Sequence, residues 1–408
     1  MTQPQGSTPN TTTFDQLLQP LQDAFDQIEN QRTRHHRETL SFRAFVRLLL
    51  YYFTASVESG RQLLTDTLSA APSLGLEKVK RSTFFDGFNR FPVRYFQILF
   101  ATLLGTLALP TIPELTMVGR LLCVDGSLFP ALATMYWAQY QSGSNALRLH
   151  LAFELNRMVA VSILVDSGNS SERSALRQML ESGVTYLLDR GYVSFPLLAE
   201  IAAAGAYFVM RQKSNLNYSV VEQLAVSLPE QVESLYSEVR DLKVSLTGSK
   251  DKPLYRLVCF VFEGMSYRLL TNRWDLTTFE VMLLYSYRWQ VELFFRYFKR
   301  TLGGLHLLST SKAGVTIEFY ALLITTLLQL HLKQRCVAAY EMASEQGTPG
   351  RLEVDVEELI EGSGSTFLAT VGQKLQRWWK ISVHWLVHLR NYLARSLDGK
   401  GLYLLGTT

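Results

Sequence analysis

The residues with the clearest chemical content are Tyr285, Arg288, Glu292 and Lys299, with Arg296 beside them. At the turn angle of an α-helix the first four fall within about 60° of one another, and Arg296 extends the stripe. Around them stand Trp289, Val291, Leu293, Phe294, Phe295, Tyr297 and Phe298. So dense an apolar surround predicts a helix that is mostly buried. A buried Glu flanked by cations must be paired or hold a metal. A structural ion-pair helix answers the same geometry equally well.

Aspartates close three strand-like runs. Leu121 to Val124 ends in Asp125-Gly126, and Thr185 to Leu188 ends in Asp189-Arg190-Gly191. Val161 to Val165 ends in Asp166, before Ser167-Gly168. In α/β sheets ligand chemistry gathers at the carboxyl ends of strands, and a nearby glycine lets the chain turn and a ligand approach. Asp-Gly also marks ordinary turns, so strand-end position does not choose among the three. Three carboxylates on separate elements, without clustered His or Cys, suit Mg²⁺ or Mn²⁺. Two such ions about 3.5–4 Å apart can activate an attacking oxygen and stabilise a leaving one in phosphodiester chemistry. Tyr, Arg and Lys on one adjoining face would then clamp phosphates.

The elements that must position these groups follow from pattern. Residues 14–115 read as helical, with helices at Phe14 to Ile28 and Phe42 to Phe53. A short segment from Ser82 to Phe91 has Ser82 or Thr83 as its cap. From residue 116 the pattern becomes strand, strand, strand, helix, strand, helix, strand, an α/β region with a mixed sheet. Asn156-Arg157 makes a hairpin turn between its second and third strands. Residues 214–275 are β-rich and read as an insertion, with runs at Ser219 to Leu228, Val239 to Leu246, Leu254 to Phe262 and Ser266 to Leu270. Helix resumes at Thr277, continues to Arg300, and returns from Val315 to Tyr340. Residues 341–408 form a charge-segregated helical C-terminal region.

Composition bounds the rest. The chain has 408 residues, 47% hydrophobic and 12% aromatic, with 40 basic against 36 acidic residues. That apolar fraction excludes a disordered chain, and the length suits two or three domains. Three scattered cysteines argue against a zinc site or disulfide framework and for a reducing compartment. A net charge of +4 permits a nucleic-acid partner without requiring one. Residues 1–13 are polar, read as a flexible tail, and lack the apolar stretch of an export signal. Tyr95 to Leu109 and Phe319 to Leu332 fall short of the ~20 residues a bilayer needs and read as core helices.

The spacing Tyr285-x2-Arg288-x3-Glu292-x6-Lys299 resembles the Y-R-E-K signature of the insertion-sequence-four group of bacterial DDE transposases. Val124-Asp125-Gly126-Ser127 and Leu188-Asp189-Arg190-Gly191-Tyr192 resemble that group's two aspartate blocks. Arg148-Leu149-His150-Leu151 and Gly168-Asn169-Ser170-Ser171-Glu172 resemble the segments between them. Ser194 departs from the pattern, where some relatives carry Phe or Tyr three residues past the glycine. The resemblance covers about residues 118–330. It implies an RNase H-like core, residues 116–213 and 276–340, interrupted by the β-rich insertion. It also implies that Asp125, Asp189 and Glu292 are catalytic and ligate two Mg²⁺ ions, with Mn²⁺ as a substitute, and that Asp166 is structural or supports the site from behind the metal ligands. Tyr285, Arg288 and Lys299 are then phosphate contacts, and Trp289 is a candidate to hold a flipped base.

The implied activity is cut-and-paste transposition through a DNA hairpin, by a homodimer on double-stranded DNA carrying the terminal inverted repeats and on target DNA. The implied setting is the bacterial cytoplasm, with nucleoid association and no membrane. DNA contact is expected from Arg296 and Arg300 and from Lys78, Lys80 and Arg81. Two further basic regions are Arg32, Arg34, His35, His36, Arg37, Arg43 and Arg47, and the C-terminal stretch Lys374 to Arg395 with Trp378, Trp379 and Trp385. The last is alternatively a subunit interface. A catalytically idle DNA-binding descendant and a host nuclease of the same fold are the competing readings.

Overall fold

The computed structural model describes residues 13–345, apart from 55–56, 58, 110, 142, 214, 248–252 and 302–306. The expected N-terminal tail, but for Thr13, and the C-terminal region from residue 346 lie outside the described residues. In chain order the helices and strands begin with α1 (Thr13–Leu18), α2 (Gln22–Gln31), α3 (Phe42–Thr54), α4 (Gly60–Leu74), α5 (Arg81–Arg90), α6 (Val93–Thr106) and α7 (Pro113–Thr116). Then come β1 (Leu121–Pro130), β2 (Gln139–Gln141), β3 (Ser144–Glu154), β4 (Val159–Ser167), α8 (Glu172–Gln178), β5 (Thr185–Leu188), α9 (Phe195–Ala203) and β6 (Tyr207–Arg211). The last are β7 (Tyr218–Leu224), α10 (Glu230–Glu233), β8 (Tyr236–Leu246), β9 (Leu254–Phe262), β10 (Met265–Thr271), α11 (Thr278–Ser286), α12 (Trp289–Thr301) and α13 (Lys312–Glu345).

The described residues divide into two compact units. One holds residues 13–109 and 307–345, the other 111–301. In the helical unit α13 packs on α3, α5 and α6, so this helix sits with the N-terminal helices, whereas the sequence reading grouped residues 276–340 together. Phe42 and Phe45 of α3 are fully buried and meet Phe84, Phe88, Phe91 and Phe96 in tilted and edge-to-face contacts. A Cβ on Gly87 would lie 2.6 Å from the Phe45 ring, so only glycine lets α5 approach this closely. Lys80, not Ser82 or Thr83, occupies the N-cap of α5, and no side chain caps it. Residues Lys312–Leu332 of α13 are long and apolar enough to cross a bilayer, which corrects the shorter span read from sequence. They are mostly buried within the fold, as befits a core helix.

Glu318 of α13 is 2% exposed and accepts the backbone N–H groups of Leu308 (2.9 Å) and Ser309 (2.8 Å). Burial pushes its carboxyl up to about 8, against the pull of those two donors. Because the folded value lies above the unfolded one, the native state holds the extra proton. Its contribution is full below the unfolded value and is lost as pH rises through about 8. Denaturant midpoints measured from pH 5 to 9 should fall over that range, and Glu318→Gln should flatten the decline.

The second unit is built on one sheet with strand order β2-β3-β1-β5-β6-β10-β9-β8-β7, and β4 pairs with β3. β1, β5 and β6 are parallel neighbours, and β3 is antiparallel to β1. β10 pairs antiparallel with β6, so the strands of the 214–275 stretch continue the same sheet. Asn156, in the β3–β4 turn, accepts the Leu121 N–H (2.8 Å) and donates to the Gly119 carbonyl (2.9 Å), which fixes the start of β1. One sheet face buries Leu122, Val124, Tyr186, Leu188 and Phe208 against Leu176 of α8 and Leu197, Leu198 and Ile201 of α9. The other face carries Cys123 and Phe153, which are paired in register, and Phe153 meets Phe294 of α12 at 5.1 Å. The result is a three-layer α/β unit.

Candidate active site

The parallel pairing of β1 with β5 matches Leu121 to Thr185 and Cys123 to Leu187. Two residues further on are Asp125, still inside β1 on the face that carries Cys123, and Asp189, the first residue past β5, so continuing the register would bring the two side by side. β5 ends at Leu188, while β1 runs on to Pro130, so a gap opens beside Asp125 where its parallel partner stops. Asp125 is therefore inside its strand rather than at its end, as sequence suggested. The third aspartate separates cleanly. Asp166 pairs with Arg148, which pairs with Leu128, whereas Asp125 pairs with Leu151. The odd offset places Asp166 on the opposite sheet face from Asp125.

α11 and α12 bring the remaining groups. Sequence predicted one helix from Thr277 to Arg300; the structure breaks it at Tyr287 and Arg288. There Arg288, Gln290 and Val291 bond three residues back, to Tyr285, Tyr287 and Arg288. The single charged stripe is thus split between two helices. A capping box of Thr277 and Glu280 starts α11. Tyr285, near the end of α11, donates through Oη to Asp189 Oδ1 at 3.4 Å. Arg288 lies over the Tyr285 ring at 5.8 Å and reaches Glu292 Oε1 at 2.7 Å. Asp189, Tyr285, Arg288 and Glu292 thus form one connected chain of contacts. Farther along α12, Arg296 covers the Trp289 ring at 5.3 Å, and exposed Lys299 sits 5.3 Å from the Phe129 ring of β1. The Arg300 side chain lies outside the described residues.

The electrostatics centre on Asp125. Burial pushes its carboxyl up to about 6; the Gly126 N–H and the Arg288 guanidinium pull down, while Glu172 and Glu292 add repulsion. Burial also raises the Tyr285 hydroxyl to about 12, so it stays a donor at neutral pH. Burial works against the Arg288 charge, but Tyr285, Glu292 and Asp189 outweigh it and hold Arg288 above its ordinary value.

The donors suit a hard divalent cation in kind and charge: carboxylate oxygens, one of them half-buried among like charges. Among the described residues, however, no three acidic, His or Cys side chains converge into a metal-holding group. Protein groups serve as counter-partners instead, Arg288 for Glu292 and Tyr285 for Asp189.

Of the basic positions outside this unit, Lys78, Lys80 and Arg81 are exposed at the start of α5. The first basic region is largely committed elsewhere. Arg32 is paired with Glu29 and Glu38, Arg43 with Asp26, and Arg47 with Asp15; Arg34, His35, His36 and Arg37 are exposed, with Arg34 also reaching Glu29 at 3.5 Å. The C-terminal stretch Lys374 to Arg395 lies outside the described residues. Sequence reasoning assigned no role to Glu172, Arg148, His150 or Tyr192, which gather beside Gly126 and Gly191. The available signal was polar residues two apart, Arg148 and His150, in an otherwise apolar strand.

Known proteins resemble this chain over the same region. The family profile described as "Transposase DDE domain" matches residues 117–328, just over half of the chain. A putative transposase, y4zB, of Sinorhizobium fredii is 29% identical over 244 residues, covering 59% of this chain and 67% of that protein. A probable transposase for insertion sequence element IS5377 of Geobacillus stearothermophilus is 24% identical over 196 residues, covering 47% of this chain and 51% of that protein.

Proposed function

The chain belongs to the transposase DDE-domain family, and on that premise we propose that it is a cut-and-paste DNA transposase of the insertion-sequence-four group with an RNase H-like core. The observation that carries this reading is the parallel register of β1 and β5, which brings Asp125 of β1 and Asp189, the first residue past β5, to one end of the sheet, with Tyr285 in contact with Asp189 and Arg288 joining Tyr285 to Glu292. Asp125, Asp189 and Glu292 would hold two Mg²⁺ ions, or Mn²⁺ in their place, which supply activation of the attacking oxygen and charge stabilisation of the leaving one.

The chain's own groups do the positioning. Arg288 can release Glu292 to take a phosphate, since a guanidinium matches phosphate as well as carboxylate. Tyr285 stays protonated and donates. Trp289, 37% exposed, offers a ring face for an unstacked base, with Arg296 on it as a cation that a base or phosphate would meet. The proposed sequence begins with water displacing the 3′-oxygen at the transposon end, which leaves a 3′-OH. That hydroxyl attacks the opposite strand to close a hairpin, water reopens it, and the freed 3′-OH attacks target DNA. Each step forms one P–O bond and breaks another, in line. Lys78, Lys80 and Arg81 are proposed to bind DNA from the helical unit. A homodimer joining two ends, in the bacterial cytoplasm with nucleoid association, completes the reading.

The test is cleavage of duplex DNA from the two flanks of the reading frame with Mg²⁺. A strand break at one fixed phosphodiester on each flank is expected, and no cation-dependent break would defeat the reading. Lys299→Ala, which removes an exposed charge, should weaken flank-DNA binding roughly tenfold while changing stability by no more than about 0.5 kcal/mol. A gel-shift titration beside a denaturant melt separates the two. Unchanged binding with lost stability would make Lys299 a structural residue. Mn²⁺ uptake by the DNA-free chain should weaken as pH falls through about 6, where Asp125 takes up a proton.

A further inference from the structure

One side chain stands against the glycines near both aspartates, Gly126 within β1 and Gly191 in the turn after Asp189. A Cβ on Gly191 would lie 2.8 Å from Glu172 Oε2, and a Cβ on Gly126 would lie 3.4 Å from Glu172 Cγ. A side chain at Gly191 would push the Glu172 carboxylate aside, whereas Gly126 stands in ordinary contact with the Glu172 stem. Glu172 is held directly by Arg148, and its neighbour Ser170 by His150. Arg148 Nη1 donates to Glu172 Oε1 at 2.8 Å, and His150 Nε2 lies 2.9 Å from Ser170 Oγ. Arg148 and His150 alternate on β3 and so share a sheet face. Ser170 and Glu172 are likewise two residues apart where the chain enters α8. Ser171, between them, caps that helix by accepting the Ser174 N–H. The start of α8 is therefore riveted to the strand beside β1. His150 is fully buried, and its Nδ1 faces Gly126, 3.2 Å from where a Cβ would stand. Tyr192, next to Gly191 and 1% exposed, has no hydrogen-bond partner for its hydroxyl.

A carboxylate is a costly choice for a wedge. Glu172 adds repulsion at Asp125, which an apolar side chain of the same length would not. That field favours a cation where the two aspartates meet.

The geometry assigns Glu172 a positioning role: held by Arg148, it wedges between Gly126 of β1 and the Gly191 turn after Asp189 and sets the spacing of the two carboxylates. The assignment rests on the reading of those aspartates as the reacting pair. Gly191 is then the empty socket that admits the wedge.

Purified full-length protein is assayed on duplex DNA from the flanks of its reading frame with Mg²⁺. Glu172→Ala and Gly191→Ala should each slow cleavage at saturating DNA by roughly 30- to 100-fold, the scale of an ångström of misplacement. The half-saturating DNA concentration should not change. The double variant should be no slower than the slower single, because both act through one carboxylate. Without DNA, the rise in melting temperature produced by millimolar Mn²⁺ should shrink in both single variants, while their metal-free melting stays near wild type. Wild-type cleavage by Gly191→Ala, or losses that multiply in the double variant, overturns the assignment. Should Glu172→Ala fail to fold, Gly191→Ala alone decides. If Asp125→Asn and Asp189→Asn cleave normally, the reading of the site has failed instead. If they are inactive while the Glu172 and Gly191 variants cleave normally, only the wedge fails.

Discussion

Asp125→Asn should lower cleavage of flank DNA by at least about 10³-fold, the scale of several kcal/mol of lost charge stabilisation. The same variant should be more stable than wild type at pH 7. Asn is close to Asp in shape, so packing survives while a half-buried charge goes. Burial raises the Asp125 carboxyl to about 6, above its unfolded value. The proton it holds thus supports folding at low pH, and that support is lost as pH rises through about 6. The stability gained by Asp125→Asn should therefore appear above pH 6 and vanish below pH 4, where both forms are neutral. A residue that costs stability and is essential for turnover is the signature of a site kept for chemistry. Asp189→Asn should match the activity loss and keep the Tyr285 contact, since an amide oxygen still accepts. Glu292→Gln should match it as well. Flank-DNA binding by gel shift should survive in all three. A variant that cleaves at the wild-type rate would remove its residue from the site.

The second large effect lies in the sheet. Asp241 is fully buried and takes a two-point contact from Arg256, Nε to Oδ1 at 2.9 Å and Nη2 to Oδ2 at 2.6 Å. Thr278, at the start of α11, donates to the same carboxylate at 2.8 Å, and Arg256 also reaches the Leu276 carbonyl. This cluster ties β8 and β9 to the helix that carries Tyr285. Removing one partner strands the other charge in the interior, so Asp241→Ala should cost about 3–5 kcal/mol. That is a large fraction of the roughly 5–15 kcal/mol by which domains are stable. A double variant with apolar residues of similar volume, Asp241→Leu with Arg256→Met, should recover most of the loss. Urea unfolding of the three proteins measures this; a loss under about 1 kcal/mol for Asp241→Ala would show that the pair is solvated.

Much of this architecture was legible in local pattern. The runs at Leu254 to Phe262 and Tyr207 to Arg211 are strands with those bounds, because apolar and β-branched residues between turn signals leave few alternatives. What local pattern could not supply was pairing. Asp125, Asp166 and Asp189 look equivalent along the chain, and only strand register puts the second on the far face. β10 joins β6 across an intervening stretch of more than fifty residues, so a segment that reads as separate in sequence extends the same sheet. The break at Tyr287 and Arg288 has no Gly or Pro to announce it, and a helical wheel drawn through it put Tyr285 and Glu292 on one stripe. Their connection is instead made by Arg288, which contacts both. The partly buried polar group around Glu172 was invisible for the same reason, since its members meet only when β1, β3, α8 and the turn after Asp189 are assembled.

The central claim concerns joining, not cutting alone, so the most direct measurement is strand transfer in vitro. Purified protein, Mg²⁺, a duplex ending in the reading frame's flank sequence and a supercoiled plasmid are incubated together, and covalent joints are sequenced. The account predicts that the 3′ end of the flank becomes joined to plasmid DNA, with no joints formed by Asp125→Asn, Asp189→Asn or Glu292→Gln. Hydrolysed ends without joints, or joints formed undiminished by those variants, would contradict it.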